Sequence, residues 1–257
     1  MLSLQHINKT YNPGGIEETR IFSDFNLDIG QGDFISIVGS NGSGKTSLLN
    51  IICGAVPIDS GRVMLNDREF TQLREYRRAE YIGRVFQNPS AGTCAHMTVA
   101  ENMSLADNKG KPYNLAAGVS KKRLAYYREQ LKTLNLGLED KLNIKVGLLS
   151  GGQRQAIALL MSVISPIELL ILDEHTAALD PKTSETIMQL TDSVVRGKRI
   201  TTIMVTHNLR HAIAYGNRVI MMHEGNIILD LADGAKEKAS IEDLLKLFAE
   251  ISIELGY

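Results

Sequence analysis

The sequence predicts an α/β fold with a mostly parallel sheet, an N-terminal antiparallel β subdomain and an inserted α-helical subdomain. Three observations support this prediction. Short apolar strands alternate with helical segments in both halves of the chain, as they do in a parallel sheet. Residues from about 88 to 165 show helical periodicity instead, which indicates an insertion. The N-terminal region is rich in strand patterns, which favours an added antiparallel sheet.

The N-terminal half begins with two segments, "LSLQHIN" and "TRIFSDFNLDI", whose alternation of apolar and polar residues is typical of edge strands. The apolar strand "DFISIVG" (33–39) then leads through glycines into the helix "KTSLLNIICG". Two further strands are predicted for "GRVMLND" and "YIGRVF". A sheet core therefore begins before the helical insertion.

Strand patterns return after the insertion, in "IELLILDE" (167–174), "ITTIMVTH" (200–207) and "NRVIMMHE" (217–224). The segments "KTSETIMQLTDSVVRG" and "NLRHAIAYG" between them are predicted helices, "HEGNI" a hairpin turn, and the chain from about Ser240 a final helix. We therefore expect one nucleotide-binding domain over 1–257, with a core at 1–88 and 166–257 and a helical subdomain at about 89–165.

Composition narrows the class of protein. Of 257 residues, 44% are hydrophobic, which is enough for a substantial core. The net charge of −1 argues against a general affinity for nucleic acid or anionic lipid, so no nucleic-acid partner is expected. Cys53 and Cys94 form no metal or disulfide pattern, no secretory signal is present, and the apolar region 156–172 is interrupted too often to span a bilayer. A cytoplasmic protein is predicted.

A glycine-rich segment, "GSNGSGKTS" (39–47), matches the pattern G-x-x-x-x-G-K-[ST] between a predicted strand and a predicted helix. An ordinary tight turn is disfavoured because both flanking elements are in place. In such a P-loop NTPase core, backbone N–H groups surround the phosphates, Lys45 reaches the β and γ oxygens, and the Thr46 hydroxyl can bind Mg²⁺. The predicted nucleotide-binding residues of the loop are Gly39, Ser40, Asn41, Gly42, Ser43, Gly44, Lys45, Thr46 and Ser47.

Two carboxylates end the apolar strand "LLILDE" (169–174). An acidic pair at a strand end is usually a solvated surface feature, but a phosphate loop in the same chain favours a catalytic role. Asp173 is therefore predicted to be a Mg²⁺ ligand, usually through water. Glu174, one residue further on, is placed to orient or deprotonate an attacking water.

Three other polar residues follow predicted strands or turns. Gln87 ends "YIGRVF" where a doubly wound sheet places its ligands, and it could contact Mg²⁺ or the water. His207 ends "ITTIMVT" at the same sheet edge; a lone histidine there is more often structural, but here we expect it to face the γ-phosphate. Tyr11 is either a stacking partner for adenine or an isolated turn aromatic. The basic run "SKKRLAYYR" (120–128) is interpreted as a solvated helix face.

The segment "LLSGGQRQAIALLM" combines a serine N-cap with a helix whose apolar positions include Ile157, Leu160, Met161 and Ile164. Taken in order, "GSNGSGKT", Gln87, "LSGGQ", "LLILDE", "AALD" and His207 resemble the ATP-binding-cassette (ABC) ATPases over nearly the whole chain. "LSGGQ" is the discriminating element, since other phosphate-loop ATPases lack it.

The resemblance implies an ATPase that uses ATP and Mg²⁺ and works as a dimer with a second copy or a related cassette subunit. In this family the signature glycines bind the γ-phosphate of ATP held by the partner cassette. The residues that the resemblance assigns to the partner's nucleotide are Ser150, Gly151, Gly152, Gln153 and Asp180. One departure is His175, which stands where proline is commonest after the catalytic glutamate; its presence is expected to loosen the turn.

Within the family, the sequence is similar to ATPase subunits of aromatic amino-acid importers. This similarity implies a separate subunit that docks on an integral membrane permease at the cytoplasmic face, with a solute-binding protein as a further partner of an importer. An exporter ATPase and a nucleotide-timed clamp are the alternatives. The permease is expected to contact residues 88–106, whose apolar members Ala91, Cys94, Ala95, Met97 and Val99 form either a docking surface or core beneath the insertion.

Overall fold

The structure, a computed structural model, describes residues 1–112 and 118–254, and side chains up to residue 247. The strands of the described residues are β1 (Leu2–Tyr11), β2 (Thr19–Ile29), β3 (Phe34–Gly39), β4 (Ser60–Leu65), β5 (Arg68–Glu69), β6 (Ile82–Val85), β7 (Leu169–Asp173), β8 (Thr201–Val205), β9 (Arg218–His223) and β10 (Asn226–Ala232).

The α-helices of the same residues are α1 (Lys45–Cys53), α2 (Glu75–Arg78), α3 (Pro89–Gly92), α4 (Val99–Asp107), α5 (Lys121–Lys132), α6 (Gly151–Val163), α7 (Pro181–Lys198), α8 (Leu209–Ala214), α9 (Asp233–Lys238) and α10 (Ile241–Glu254). A short 3₁₀ helix, Val146–Leu148, precedes α6. The chain divides into two compact units: the first combines Met1–Ala79 with the chain from Arg199 onward, and the second is Glu80–Lys198. The predicted subdomain boundaries near 88 and 166 stay a prediction.

The first unit contains an antiparallel sheet in the order β2-β1-β4-β5. β1 pairs with β2 on one side and with β4 on the other, so the prediction that "LSLQHIN" is an edge strand is wrong. Leu2, Leu4 and Ile7 are buried on one face of the strand, with a register shift between Leu4 and Ile7. Such a pattern identifies a buried face but not the number of hydrogen-bonded neighbouring strands. β2 does lie at the edge.

The same unit holds the parallel strands that follow from the apolar segments. β3 is buried along its whole length and pairs in parallel with both β8 and β9, while β10 returns antiparallel to β9 through the predicted hairpin. A continuous apolar run is what a strand covered on both faces requires. These strands confirm the predicted α/β class with an antiparallel N-terminal sheet.

The second unit joins the parallel pair β6–β7 to the predicted helical segment. Its apolar core is contributed by α4, α5, α6 and α7, with Val99, Met103, Leu131, Ile157 and Leu160 all buried. Val99 therefore belongs to the core and not to an exposed docking surface.

The basic run at 120–128 is only partly a solvated face. Tyr127 is 1% exposed, and its hydroxyl donates to Asp107 at 2.9 Å. Arg123 forms two hydrogen bonds to the same carboxylate, at 2.7 and 2.8 Å, and lies over the Tyr126 ring. The run thus attaches α5 to the end of α4, because a buried carboxylate requires charged and polar partners.

Within residues 1–112 and 118–254, none of the helices combines the length and the apolar character that crossing a bilayer requires.

Candidate active site

The phosphate loop connects β3 to α1 through two positions that only glycine fits. A β-carbon on Gly39 would lie 2.3 Å from the Met222 carbonyl oxygen. Gly44 has φ +97°, and a β-carbon there would lie 3.1 Å from the Phe22 ring. The loop is therefore held between neighbouring strands with its backbone close to them, which is the conformation that a glycine-rich anion loop needs.

Lys45 lies beneath this loop and is 6% exposed. Its ammonium group donates to the carbonyl oxygens of Gly39 at 2.9 Å and Ser40 at 2.7 Å, and to the Ser43 hydroxyl at 3.2 Å. Neutral acceptors thus hold the positive charge of Lys45 against the loop. A charged phosphate oxygen would be a stronger hydrogen-bond acceptor than any of them. Thr46 is exposed at the start of α1, where its hydroxyl is accessible to a ligand.

Two other predicted residues lie in the same unit as the loop. The Tyr11 hydroxyl donates to the Ser47 Oγ at 3.3 Å, so the structure brings this side chain to the start of α1. His207 is exposed and follows β8; the preceding Thr206 N–H donates to the Ile37 carbonyl of β3 at 3.2 Å. His207 therefore lies at the end of the parallel strands from which the phosphate loop begins.

The acidic pair lies in the second unit. Asp173 ends β7, and its Oδ2 accepts a hydrogen bond from Arg84 Nη2 at 2.7 Å. Glu174 follows with φ +48°, a conformation uncommon for a residue with a β-carbon, and its carbonyl accepts from the Ala177 N–H at 2.9 Å. Unusual backbone at a functional position is a recurrent feature of active sites. Sequence reasoning missed Arg84, although an arginine inside the apolar strand "YIGRVF" is a visible sign that a buried anion lies nearby.

The turn after Glu174 is anchored by His175. This histidine is 2% exposed, and its Nε2 lies 3.2 Å from Thr191 Oγ1 on α7. The Thr191 hydroxyl also donates to the Ile187 carbonyl at 2.7 Å, so Thr191 links the His175 ring to the backbone of α7. This contact links the turn to α7, while the expected loosening of the turn stays a prediction.

We expect Thr191→Val to lower the free energy of unfolding by about 1–3 kcal/mol, because the substitution removes the hydrogen bond between the buried His175 ring and α7. Thr191→Ser keeps the hydroxyl and is the matched control. Urea unfolding of the three chains measures the difference, and a valine variant as stable as the native chain would show that this bond does not anchor the turn.

The signature segment begins α6 as the sequence predicts. The Ser150 side chain accepts from the Gln153 N–H at 3.3 Å, and the Gln153 side chain accepts from the Ser150 N–H at 3.3 Å, which is a complete capping box. Gln153 also donates to the Leu136 carbonyl at 3.2 Å. The helix N-terminus is therefore rigid, and Ser150 itself is exposed to solvent.

The start of α6 packs against the start of α7. A β-carbon on Gly152 would lie 2.4 Å from Thr183 Cγ2, whereas one on Gly151 would meet only Leu179, at 3.4 Å. Asp180 accepts from the Thr183 N–H at 3.1 Å. Hydrogen bonds from the side chain and backbone of Thr183 lower the pKa of the exposed Asp180 carboxyl, which keeps it ionised.

The predicted site residues thus fall into two groups. The first unit holds the phosphate loop, Tyr11 and His207. The second holds Gln87, the acidic pair, the signature segment 150–153 and Asp180. Gln87 is exposed directly after Phe86, whose carbonyl accepts from Gln155 of α6 at 3.2 Å.

Comparison with known proteins decides the family. The family model described as ABC transporter matches residues 22–177. The chain belongs to the ABC transporter family. It is an ABC ATPase, which binds and hydrolyses ATP.

Curated relatives match over most of this ABC ATPase. The tyrosine transport ATP-binding protein of Clostridioides difficile (strain R20291) is 49% identical over 253 residues, covering 96% of this chain and 98% of the relative. The ABC transporter ATP-binding protein YxdL of Bacillus subtilis (strain 168) is 31% identical over 256 residues, covering 97% and 93%.

A solved structure shows the same fold. The dimeric, post-hydrolysis structure of the ATP-binding cassette MJ0796 bound to ADP and Pi has a TM-score of 0.76 and 31% identity, over 90% of this chain and 98% of that one. The resemblance inferred from the motifs is thereby confirmed.

Proposed function

We propose that this ABC ATPase powers import of an amino acid, aromatic amino acids being the first to test, through a separate membrane permease at the cytoplasmic face. The observation that carries the proposal is the 49% identity to a tyrosine transport ATP-binding protein over nearly the full length of both chains. YxdL is named for no substrate, and other relatives that are also 31% identical are named for hemin import, so the amino-acid class depends on the 49% identical relative. Export, and a clamp whose hydrolysis only times release, are the alternatives.

The proposed site roles follow the geometry of each unit. In the first unit, the phosphate loop and Lys45 bind the phosphates, Tyr11 contacts the adenine and His207 contacts the γ-phosphate. In the second unit, Glu174 is the base for water, and Ser150, Gly151, Gly152, Gln153 and Asp180 serve the nucleotide of a second cassette. This division is supported by the exposed, fully capped start of α6, whose N–H groups favour an anion.

The proposed Mg²⁺ ligands are Thr46, Gln87 and Asp173. Their hydroxyl, amide and carboxylate oxygens are the hard donors that this ion prefers, and a few protein ligands beside phosphates and waters are its usual set. When bound, Mg²⁺ would neutralise charge on the β- and γ-phosphate oxygens. Asp173 already accepts a hydrogen bond from Arg84, so a bound Mg²⁺ would share this carboxylate with the guanidinium.

Reconstitution tests the transport proposal. The ATPase would be co-expressed with a candidate permease and placed in proteoliposomes with labelled tyrosine outside and ATP on the cassette side. ATP-dependent accumulation that disappears in Lys45→Ala supports import. ATP-dependent efflux supports the exporter, and an ATPase rate indifferent to the permease supports the clamp.

The permease is proposed to contact the loop at 94–97, which links Gln87 to α4. Ala95 and Met97 are partly exposed, and their carbonyls accept from the N–H groups of Gly147 at 2.9 Å and Val146 at 3.0 Å, just before the signature segment. A displacement of this loop would therefore reach the segment that begins α6. Such a contact couples a partner's movement to the nucleotide site.

We expect Met97→Glu to abolish co-purification with the permease and transport, because a carboxylate added to a partly apolar contact is desolvated on docking. Basal hydrolysis by the free subunit should survive. Ile228→Glu, which adds the same charge at an exposed apolar site on β10, is the control. A pull-down and a phosphate-release assay on each variant measure both effects; normal pull-down and transport would place the docking surface elsewhere.

A further inference from the structure

A largely buried arginine lies against the carboxylate at the end of β7. Arg84 Nη2 donates to Asp173 Oδ2 at 2.7 Å, and the two side chains expose only 15% and 16% of their surfaces. Arg84 comes from β6, which is parallel to β7 in a register that pairs Arg84 with Ile171. A guanidinium placed inside an apolar strand is costly in free energy unless it contacts an anion, and for Arg84 that anion is the Asp173 carboxylate.

The guanidinium is also fixed from a second direction. Its central carbon lies 4.7 Å from the centre of the Phe86 ring, two residues along the same chain. The Phe86 carbonyl in turn accepts from the side chain of Gln155, which is fully buried in α6. Arg84 is therefore held between Asp173 and a ring whose backbone is attached to the signature helix. A planar cation held in this way has little freedom to leave the carboxylate.

We propose that Arg84 is a positioning residue of the ATPase: it is the resident counter-ion of Asp173 and competes with the divalent cation for that carboxylate. The inference rests on the proposed function of Asp173 as a metal ligand. Arg84 holds the carboxylate in place while no metal is bound, and it lowers the affinity with which the same carboxylate holds a second cation.

The competition follows from charge. Arg84 occupies one carboxylate oxygen, and its positive charge reduces the attraction of the other oxygen for a further positive ion. Because both side chains are mostly shielded from solvent, salt and water screen this effect only in part. At this partly exposed site we expect the charge of Arg84 to weaken the binding of a hydrated metal ion by about three- to tenfold.

The experiment measures how strongly metal and nucleotide binding are coupled. The affinity of the full chain for a fluorescent ADP analogue is determined in EDTA and again in Mn²⁺, and the ratio of the two affinities is compared between variants. Arg84→Met and Arg84→Gln remove the charge, whereas Arg84→Lys retains it. We expect the ratio to rise about three- to tenfold in both neutral variants and to stay near the native value in Arg84→Lys.

Hydrolysis gives a second readout: the Mn²⁺ concentration for half-maximal turnover should fall in the neutral variants by a similar factor. If Arg84→Met does not fold, Arg84→Gln carries the test, since its amide can still donate to Asp173. A ratio in the neutral variants that equals or falls below the native ratio overturns the inference, as does a Lys variant that behaves like the neutral ones.

Asp173→Asn separates this inference from the proposed function. It should reduce the ratio towards one, and Arg84→Met added to it should have no further effect. An unchanged ratio in Asp173→Asn shows that Asp173 is not a metal ligand, which removes the metal role proposed for Asp173 and with it the inference. A reduced ratio in Asp173→Asn with no rise in the neutral Arg84 variants leaves Asp173 as a ligand and overturns the role of Arg84 alone.

Discussion

Replacing Glu174 with glutamine is expected to slow ATP hydrolysis by about 10²- to 10⁴-fold, the range for loss of a general base, while ATP affinity stays near that of the native chain. Glutamine has the size of glutamate and can adopt the φ of +48° at the same cost, so the backbone at this position should be unchanged. Phosphate release at saturating ATP measures the rate.

A slow variant that still binds ATP should also accumulate as an ATP-bound dimer, visible by size exclusion as a doubled mass. Glu185→Gln is the matched control, since Glu185 is exposed on α7 and contacts Gln189. Hydrolysis near the native rate in Glu174→Gln would show that another group activates the water.

Lys45 and Gly151 should affect two different nucleotides. Lys45→Ala is expected to abolish ATP binding by the monomer, because it removes the cation that three oxygen atoms of the loop hold in place. Gly151→Asp should leave monomer binding intact but abolish ATP-driven dimerisation and turnover. The added carboxylate favours the helix N-terminus and repels the partner's γ-phosphate.

The structure makes Gly151 the better position for this test. A β-carbon there meets only Leu179, at ordinary contact distance, whereas one on Gly152 would collide with Thr183. Equilibrium binding by each monomer and turnover by each variant provide the measurements. A mixture of the two variants should recover part of the turnover, since a mixed dimer keeps one composite site intact. Loss of ATP binding by the Gly151→Asp monomer would contradict the assignment to the partner's nucleotide.

Local sequence patterns predicted which segments form helices and strands better than they predicted which strands pair with each other. The serine cap of α6 and the strand before Asp173 were predictable because capping and apolar runs depend on nearby residues. The central position of β1 was not, since alternation describes one face and leaves the hydrogen-bonded edges undetermined.

Side-chain contacts between residues far apart in the sequence were the other feature that the sequence did not predict. The basic run at 120–128 appeared as a surface because the acid that Arg123 and Tyr127 contact, Asp107, lies on another helix. The contact of Arg84 with Asp173 joins residues 89 positions apart, and the local pattern around Arg84 indicates an anion without identifying which residue supplies it. The contact of His175 with Thr191 likewise joins residues 16 positions apart, so the local sequence at the turn did not report it.

The capping box at Ser150 means that one hydroxyl group can contribute both to the stability of the helix and to binding outside it. Its oxygen accepts the Gln153 N–H and so starts the helix, while its hydrogen remains available for donation outward. Aspartate would start the helix equally well but has no hydrogen to offer and carries a negative charge. With the proposed role of Ser150 toward the partner's nucleotide, a library of variants sorted for thermal stability would retain aspartate at this position, and the same library sorted for turnover would discard it. Stability-guided engineering of this chain should leave position 150 untouched.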